Sequence, residues 1–87
     1  MARYRILIKT SAAKEIEAVD QKKDRQRIVS RIQSLAENPR PPGCEKLSGQ
    51  GDKYRVREGH YRIAYCIEDK DRLVYVVKVG RRKDVYR

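Results

Sequence analysis

Polar and apolar residues alternate over residues 53–67, Lys-Tyr-Arg-Val-Arg-Glu-Gly-His-Tyr-Arg-Ile-Ala-Tyr-Cys-Ile, and this period of two predicts a β-hairpin. Tyr54 and Val56 alternate with Lys53, Arg55 and Arg57. Glu58-Gly59-His60 is the turn, because Gly59 is free to take the positive φ that a tight turn often needs. The return strand sets Tyr61, Ile63, Tyr65 and Ile67 on one face and Arg62, Ala64 and Cys66 on the other. If Tyr54 and Val56 share a core with Ile63 and Tyr65, then Arg55, Arg57 and Arg62 share the opposite face.

The flanking segments extend the pattern. Residues 3–9 alternate Tyr4, Ile6 and Ile8 with Arg3, Arg5 and Lys9, a first strand with a basic outer side. Thr10 or Ser11 is expected to cap a helix by accepting an orphan backbone N–H, and Ala12, Ile16 and Val19 follow at helical spacing. Asp20 is a stop or a new cap. A second helix is predicted over 21–37, with Ile28, Ile32 and Leu35 as its apolar stripe and Lys22, Lys23, Arg27 and Arg31 opposite. Asn38-Pro39 ends it. Residues 38–52 hold all three prolines and read as a loop anchored by Leu47. Residues 73–79, Leu-Val-Tyr-Val-Val-Lys-Val, are apolar on both faces and predict a central strand. The tail, residues 80–87, is basic and ends on Tyr86 and Arg87.

The order is therefore β-α-α-β-β-β: an α+β fold, with a twisted, mainly antiparallel sheet and a two-helix hairpin packed on one face. Ile6, Ile28, Ile32, Leu35, Ile63, Tyr65 and Val77 are expected to meet in one core. A chain of 87 residues fits a single domain, 1–87. The solvent face of the sheet would then carry Arg55, Arg57, Arg62 and Lys78, with Arg81 and Arg82 emerging beside it.

Composition sharpens this. Charged residues make up 39% of the chain and the formal net charge is +10, an excess that favours a polyanionic partner. No window approaches the roughly 18 apolar residues of a membrane span, and the N-terminus lacks the apolar run of a signal peptide, so a cytoplasmic location is expected. Cys44 and Cys66 have no metal-ligand spacing with the lone His60 and read as free thiols, so neither a metal nor a cofactor is expected.

The combination of Asn38-Pro39, Lys46-Leu47-Ser48-Gly49, residues 54–65 and Val79-Gly80-Arg81-Arg82-Lys83-Asp84-Val85-Tyr86 resembles the RelE family of toxins from toxin–antitoxin pairs. The resemblance covers nearly the whole chain. It implies a ribosome-dependent endoribonuclease that cuts mRNA in the ribosomal A site, and a cognate antitoxin, acidic and partly disordered, that wraps and blocks it. Carried over by motif, the catalytic positions are Arg55, Arg57, Arg62, Arg82 and Tyr86, with Lys53, Lys78, Arg81 and Lys83 as RNA-binding neighbours. Well-studied members have lysines where Arg55 and Arg57 stand.

Metal-independent cleavage needs the 2′-hydroxyl deprotonated, the phosphorane charge stabilised and the 5′-oxygen protonated. Arginine suits the second task because its planar fork matches phosphate oxygens; Arg62 is the first choice and Arg82 the second. A solvated sheet face would carry the same arginines. No strong general base stands out. His60 has the right intrinsic pKa but lies at a turn, and Glu58 and Asp52 are alternatives. Tyr86 could orient, stack or donate a proton, or simply pack on the sheet. Two other readings fit the pattern: a ParE-like toxin that inhibits DNA gyrase by binding, and a nucleic-acid-binding module without chemistry.

Overall fold

The computed structural model describes residues 3–47 and 51–81. Strand β1 (Arg5–Ile8) leads into helices α1 (Thr10–Glu17) and α2 (Lys22–Ser34). Strands β2 (Glu45–Lys46), β3 (Lys53–Glu58), β4 (Tyr61–Glu68) and β5 (Leu73–Arg81) follow. They form one five-stranded sheet in the order β1-β5-β4-β3-β2. The β1–β5 pairing is parallel and the other three are antiparallel. This is the α+β architecture that the sequence predicts.

The predicted stripes do the packing. Ala12, Ile16 and Val19 from the first helical segment, and Ile28, Ile32 and Leu35 from the second, are buried against Tyr54, Val56, Ile63, Tyr65, Ile67, Val74, Val76 and Val79. Ile6 and Tyr4 are partly buried at the margin of this core. Burying an Ile or Leu side chain completely is worth about 1.5–3 kcal/mol, so the two helical stripes and the sheet face hold the layers together, and among the described residues no charged one is buried.

Val77 departs from expectation. Ala64 pairs with Lys78 while Tyr65 pairs with Val76, so a bulge leaves Val77 unopposed. The extra residue shifts the alternation, and Val76 and Val79 face the core while Val77 is half-buried outside it. The helix cap also differs. The Lys9 N–H still bonds the Val76 carbonyl at 2.8 Å, so the chain stays docked on β5 until the residue before Thr10. Lys9 takes the cap position, with no side-chain cap bond, and Thr10 is already helical. Similarly, Gln21 rather than Asp20 precedes α2, again without a side-chain cap.

After α2 the backbone tightens. Leu35, Ala36 and Glu37 N–H groups bond carbonyls three residues back, and Pro39 then prevents continuation. The Tyr65 hydroxyl donates to the Pro39 carbonyl at 2.7 Å and ties the following segment to the sheet. The sequence predicts a loop there up to residue 52. The segment instead contributes β2, since Glu45 and Lys46 pair with Arg55 and Tyr54. The hairpin turn matches its prediction: Glu58 pairs with Tyr61, and Gly59 has φ 61° at the first central position, the requirement of a type II′ turn.

Candidate active site on the open sheet face

Alternation along β3 and β4 decides which side chains gather on the face away from the helices. Tyr54, Val56, Ile63 and Tyr65 point into the core, so their neighbours Arg55, Arg57, Arg62 and Ala64 point out. Register then arranges them in rows. One row runs Glu45, Arg55, Ala64, Lys78 across β2, β3, β4 and β5. The next runs Arg57, Arg62, Gly80. Small residues at Ala64 and Gly80 leave room over the sheet beside the long arginine side chains. Lys53 shares the face but lies in a further row with Cys66 and Tyr75, towards the other end of β3.

Arg57 and Arg62 are direct cross-strand partners. Like charges in that position destabilise a sheet, by the reverse of the roughly 0.2–1 kcal/mol that a favourable pair supplies. The Nε of Arg62 is buried, and the Arg55 side chain is only 16% exposed, so these guanidiniums lie against the sheet rather than waving in solvent. Arg55 is oriented by Glu45: Nε and Nη2 both donate to Oε1, at 3.1 and 2.5 Å. The Arg55 guanidinium holds the Glu45 carboxyl below its ordinary range, and the positive charges of Arg57 and Arg62 act in the same direction. Glu45 was not among the sequence candidates. A two-residue strand inside a Pro- and Gly-rich segment gives no periodicity to read.

The other expected residues separate. Lys78 reaches α1, with its Nζ 2.8 Å from Glu15 Oε2, while Glu15 Oε1 accepts the Val79 N–H at 2.9 Å. Beyond Ile8, where β1 has ended, Glu15 thus takes over a hydrogen bond at the edge of β5. Arg81 pairs with Tyr61 and its guanidinium lies 5.7 Å from that ring, on the side of Val79 rather than of Arg62. Of the possible bases, Glu58 lines a groove with Lys23, Arg27 and Arg31 on the helix side. His60 is exposed in the turn, and Asp52 precedes β3 at its far end. Arg82, Lys83 and Tyr86 lie outside the described residues.

Among the described residues, no cluster of three or more His, Cys, Asp or Glu could hold a metal, and no helix is long and apolar enough to cross a membrane.

Residues 6–86 match the family model for the ParE toxin of the type II toxin–antitoxin system parDE. The chain is 32% identical over 88 aligned positions to a protein of Escherichia coli described as RelE-like toxin, spanning 97% of this chain and 90% of that one. The chain belongs to the RelE/ParE family of type II toxins. Toxin RelE1 of Methanocaldococcus jannaschii is 34% identical over 59 residues, which cover 64% of this chain and 66% of that protein. In three dimensions the chain is similar to the archaeal RelE–RelB complex structure from Pyrococcus horikoshii, with TM-score 0.81 and 30% identity over 94% of this chain and 97% of that one. The family resemblance read from the hairpin and the V-G-x-R…V-Y tail therefore holds, and the chain is RelE-like in sequence and in fold.

Proposed function

We propose that this RelE-like toxin is a ribosome-dependent endoribonuclease that cleaves mRNA in the ribosomal A site and so arrests translation. The observation that carries the reading is the Arg57–Arg62 cross-strand pair, with Arg55 one row away on the same solvent-facing surface. Two guanidiniums facing each other across neighbouring strands suit a phosphodiester, whose oxygens each can meet bidentately.

In this reading the 2′-hydroxyl attacks the adjacent phosphorus. Arg62 and Arg57 stabilise the phosphorane, whose charge exceeds that of the ground-state phosphodiester, so their contribution favours the transition state. Arg55, braced by Glu45, fixes the neighbouring phosphate. Arg82 and Tyr86 join the site from the tail, and Lys53, Lys78, Arg81 and Lys83 contribute to RNA attraction. The guanidiniums take the role a metal would otherwise fill. The ribosome supplies alignment of the reacting groups, a factor worth up to about 7–11 kcal/mol. The toxin works in the cytoplasm, and a cognate antitoxin with an acidic, partly disordered segment covers the basic face; the Pyrococcus horikoshii structure, a RelE–RelB complex, supports that partner class.

The family model carries the ParE name and keeps a second reading in view: gyrase inhibition by binding alone. Inducible expression followed by mapping of mRNA 5′ ends separates the two. New in-frame 5′ ends within translated codons support the endoribonuclease. Growth arrest and DNA damage with intact mRNA support the gyrase reading and remove the first.

A further inference from the structure

The segment from Lys9 to Glu15 grips β5 on both sides of its bulge. Before Val77, the Lys9 N–H bonds the Val76 carbonyl at 2.8 Å. After it, Glu15 Oε1 accepts the Val79 N–H at 2.9 Å, and Glu15 Oε2 lies 2.8 Å from Lys78 Nζ. Val79 separates Lys78, in the row of Arg55, from Gly80, the cross-strand partner of Arg62. One carboxylate on α1 thus holds β5 where both arginine rows reach it. We propose that Glu15 is a positioning residue for the cleavage site: it fixes the course of β5 past the bulge, and so the place of Gly80 opposite Arg62, beside which the phosphate is held. The inference rests on the endoribonuclease reading above and adds a residue to it.

The geometry favours this role over a plain tie between helix and sheet. A bulge bends its strand and adds twist, so pairing with β4 leaves the direction of β5 after Val77 less strictly set than in a regular ladder. The neighbour on the other side gives no help, because β1 pairs with β5 only as far as Ile8 and Val76. Glu15 supplies the missing hold at the first backbone N–H past the bulge that turns away from β4. A carboxylate is the strong choice of acceptor there, since charge-assisted hydrogen bonds are shorter and stronger than neutral ones. Its two oxygens divide the work: one fixes the strand backbone, and the other draws the Lys78 ammonium towards α1.

Electrostatic attraction alone points the other way. A carboxylate 29% exposed at the margin of a face that draws in RNA subtracts from the attraction. Placement explains an acidic residue here, and attraction does not. The two accounts therefore differ in sign. Losing Glu15 makes the face more positive, so ribosome engagement should hold or strengthen while the chemical step slows.

The test is single-turnover cleavage of ribosome-bound mRNA by the full chain at rising toxin concentration. Melting curves establish that variants fold, and amide hydrogen exchange follows the Val79 N–H. Glu15→Ala should lower the rate at saturation about 10–100-fold, the scale of a displacement near 1 Å at the reacting groups, while the concentration for half-maximal rate stays the same or falls. The Val79 N–H should exchange at least about tenfold faster in that variant. Glu15→Gln keeps an oxygen for the Val79 N–H but not the charge, and should recover the rate to within about threefold of wild type. Glu15→Asp, one methylene short of β5, should show a smaller loss in the same direction as Glu15→Ala, and decides the matter if the alanine variant does not fold. A wild-type rate at saturation in the folded Ala or Asp variant, unchanged Val79 exchange, or a Gln variant as slow as these, overturns the assignment while leaving the endoribonuclease reading intact. Absence of cleavage by the wild-type chain overturns both.

Discussion

Arg40 and Arg55 each grip a carboxylate, yet the two neighbourhoods differ in what they leave over. Arg40 donates to both oxygens of Asp69, at 3.2 and 2.8 Å, donates to the Tyr54 hydroxyl at 3.2 Å, and lies 5.1 Å from the Tyr54 ring. The Tyr4 hydroxyl adds a bond to Asp69 at 2.7 Å. One positive charge meets one negative charge, and the group links β1, the loop after α2, β3 and the β4–β5 turn. Arg55 also holds Glu45, but on a face where Arg57 and Arg62 stand beside it in the next row. Three guanidiniums gathered on one sheet face, against a lone arginine shared among several elements, is the difference between the two neighbourhoods.

The largest effect should come from removing what both neighbourhoods rest on. Ile32 is 2% exposed beneath the sheet, and Ile32→Ala should cost about 2–5 kcal/mol in urea unfolding. A loss under about 0.5 kcal/mol would mean that the α2 stripe carries little of the fold. Next comes the arginine face itself. Arg62→Ala should lower cleavage roughly 10²–10³-fold, equivalent to about 2.7–4 kcal/mol. Stability should fall far less, because Arg62 lies on the side of β4 away from the apolar core. Equal losses of rate and stability would erase the contrast.

Arg40→Ala should show the opposite profile. Its side chain is 40% exposed, so solvent screening limits the loss to about 1 kcal/mol of stability, with the cleavage rate of the folded protein unchanged. The staple also has a pH signature. Arg40, followed by Tyr4, holds the Asp69 carboxyl down at about 2, against an ordinary 3.8. A depressed carboxyl contributes stability that is complete above its unfolded value and is lost as pH falls through the folded one. Melting temperature should therefore decline between about pH 4 and pH 2 on this account, and Asp69→Asn should flatten that part of the profile. An unchanged slope in Asp69→Asn would place acid sensitivity elsewhere. The smallest effect belongs to Arg5, exposed on β1 across the sheet from β3. Arg5→Ala should leave the single-turnover rate at saturation unchanged and flatten the salt dependence of ribosome engagement by about one unit of slope at most. A rate loss matching that of Arg62→Ala would reduce the whole face to an undifferentiated positive field.

Much of this was legible from residue order. A period of two over 53–67 places Arg55, Arg57 and Arg62 together, because the pleat allows only two sides. The Ile28, Ile32, Leu35 stripe likewise specifies the buried side of α2. Three features were not legible. Within Val74-Tyr75-Val76-Val77 nearly every residue is apolar, so periodicity cannot reveal which valine the bulge expels. Thr10 has the chemistry of a cap, but the docking of Lys9 on Val76 sets where the helix begins, and that contact spans most of the chain. Glu45 owes its place to two residues of pairing with β3, below the length at which a strand announces itself.

The parallel pairing of β1 with β5 has a temporal side. β1 is made first and β5 last, and Arg5–Ile8 have their strand partner in Leu73–Val76, at the far end of the described chain. Until that segment has left the ribosomal tunnel, the opening strand has nothing to pair with, and the apolar faces of the two helices lack much of the sheet that covers them. Such non-local closure makes assembly wait for β5 rather than proceed strand by strand with synthesis. A nascent toxin of this topology therefore completes the sheet behind its arginine face only once β5 has emerged.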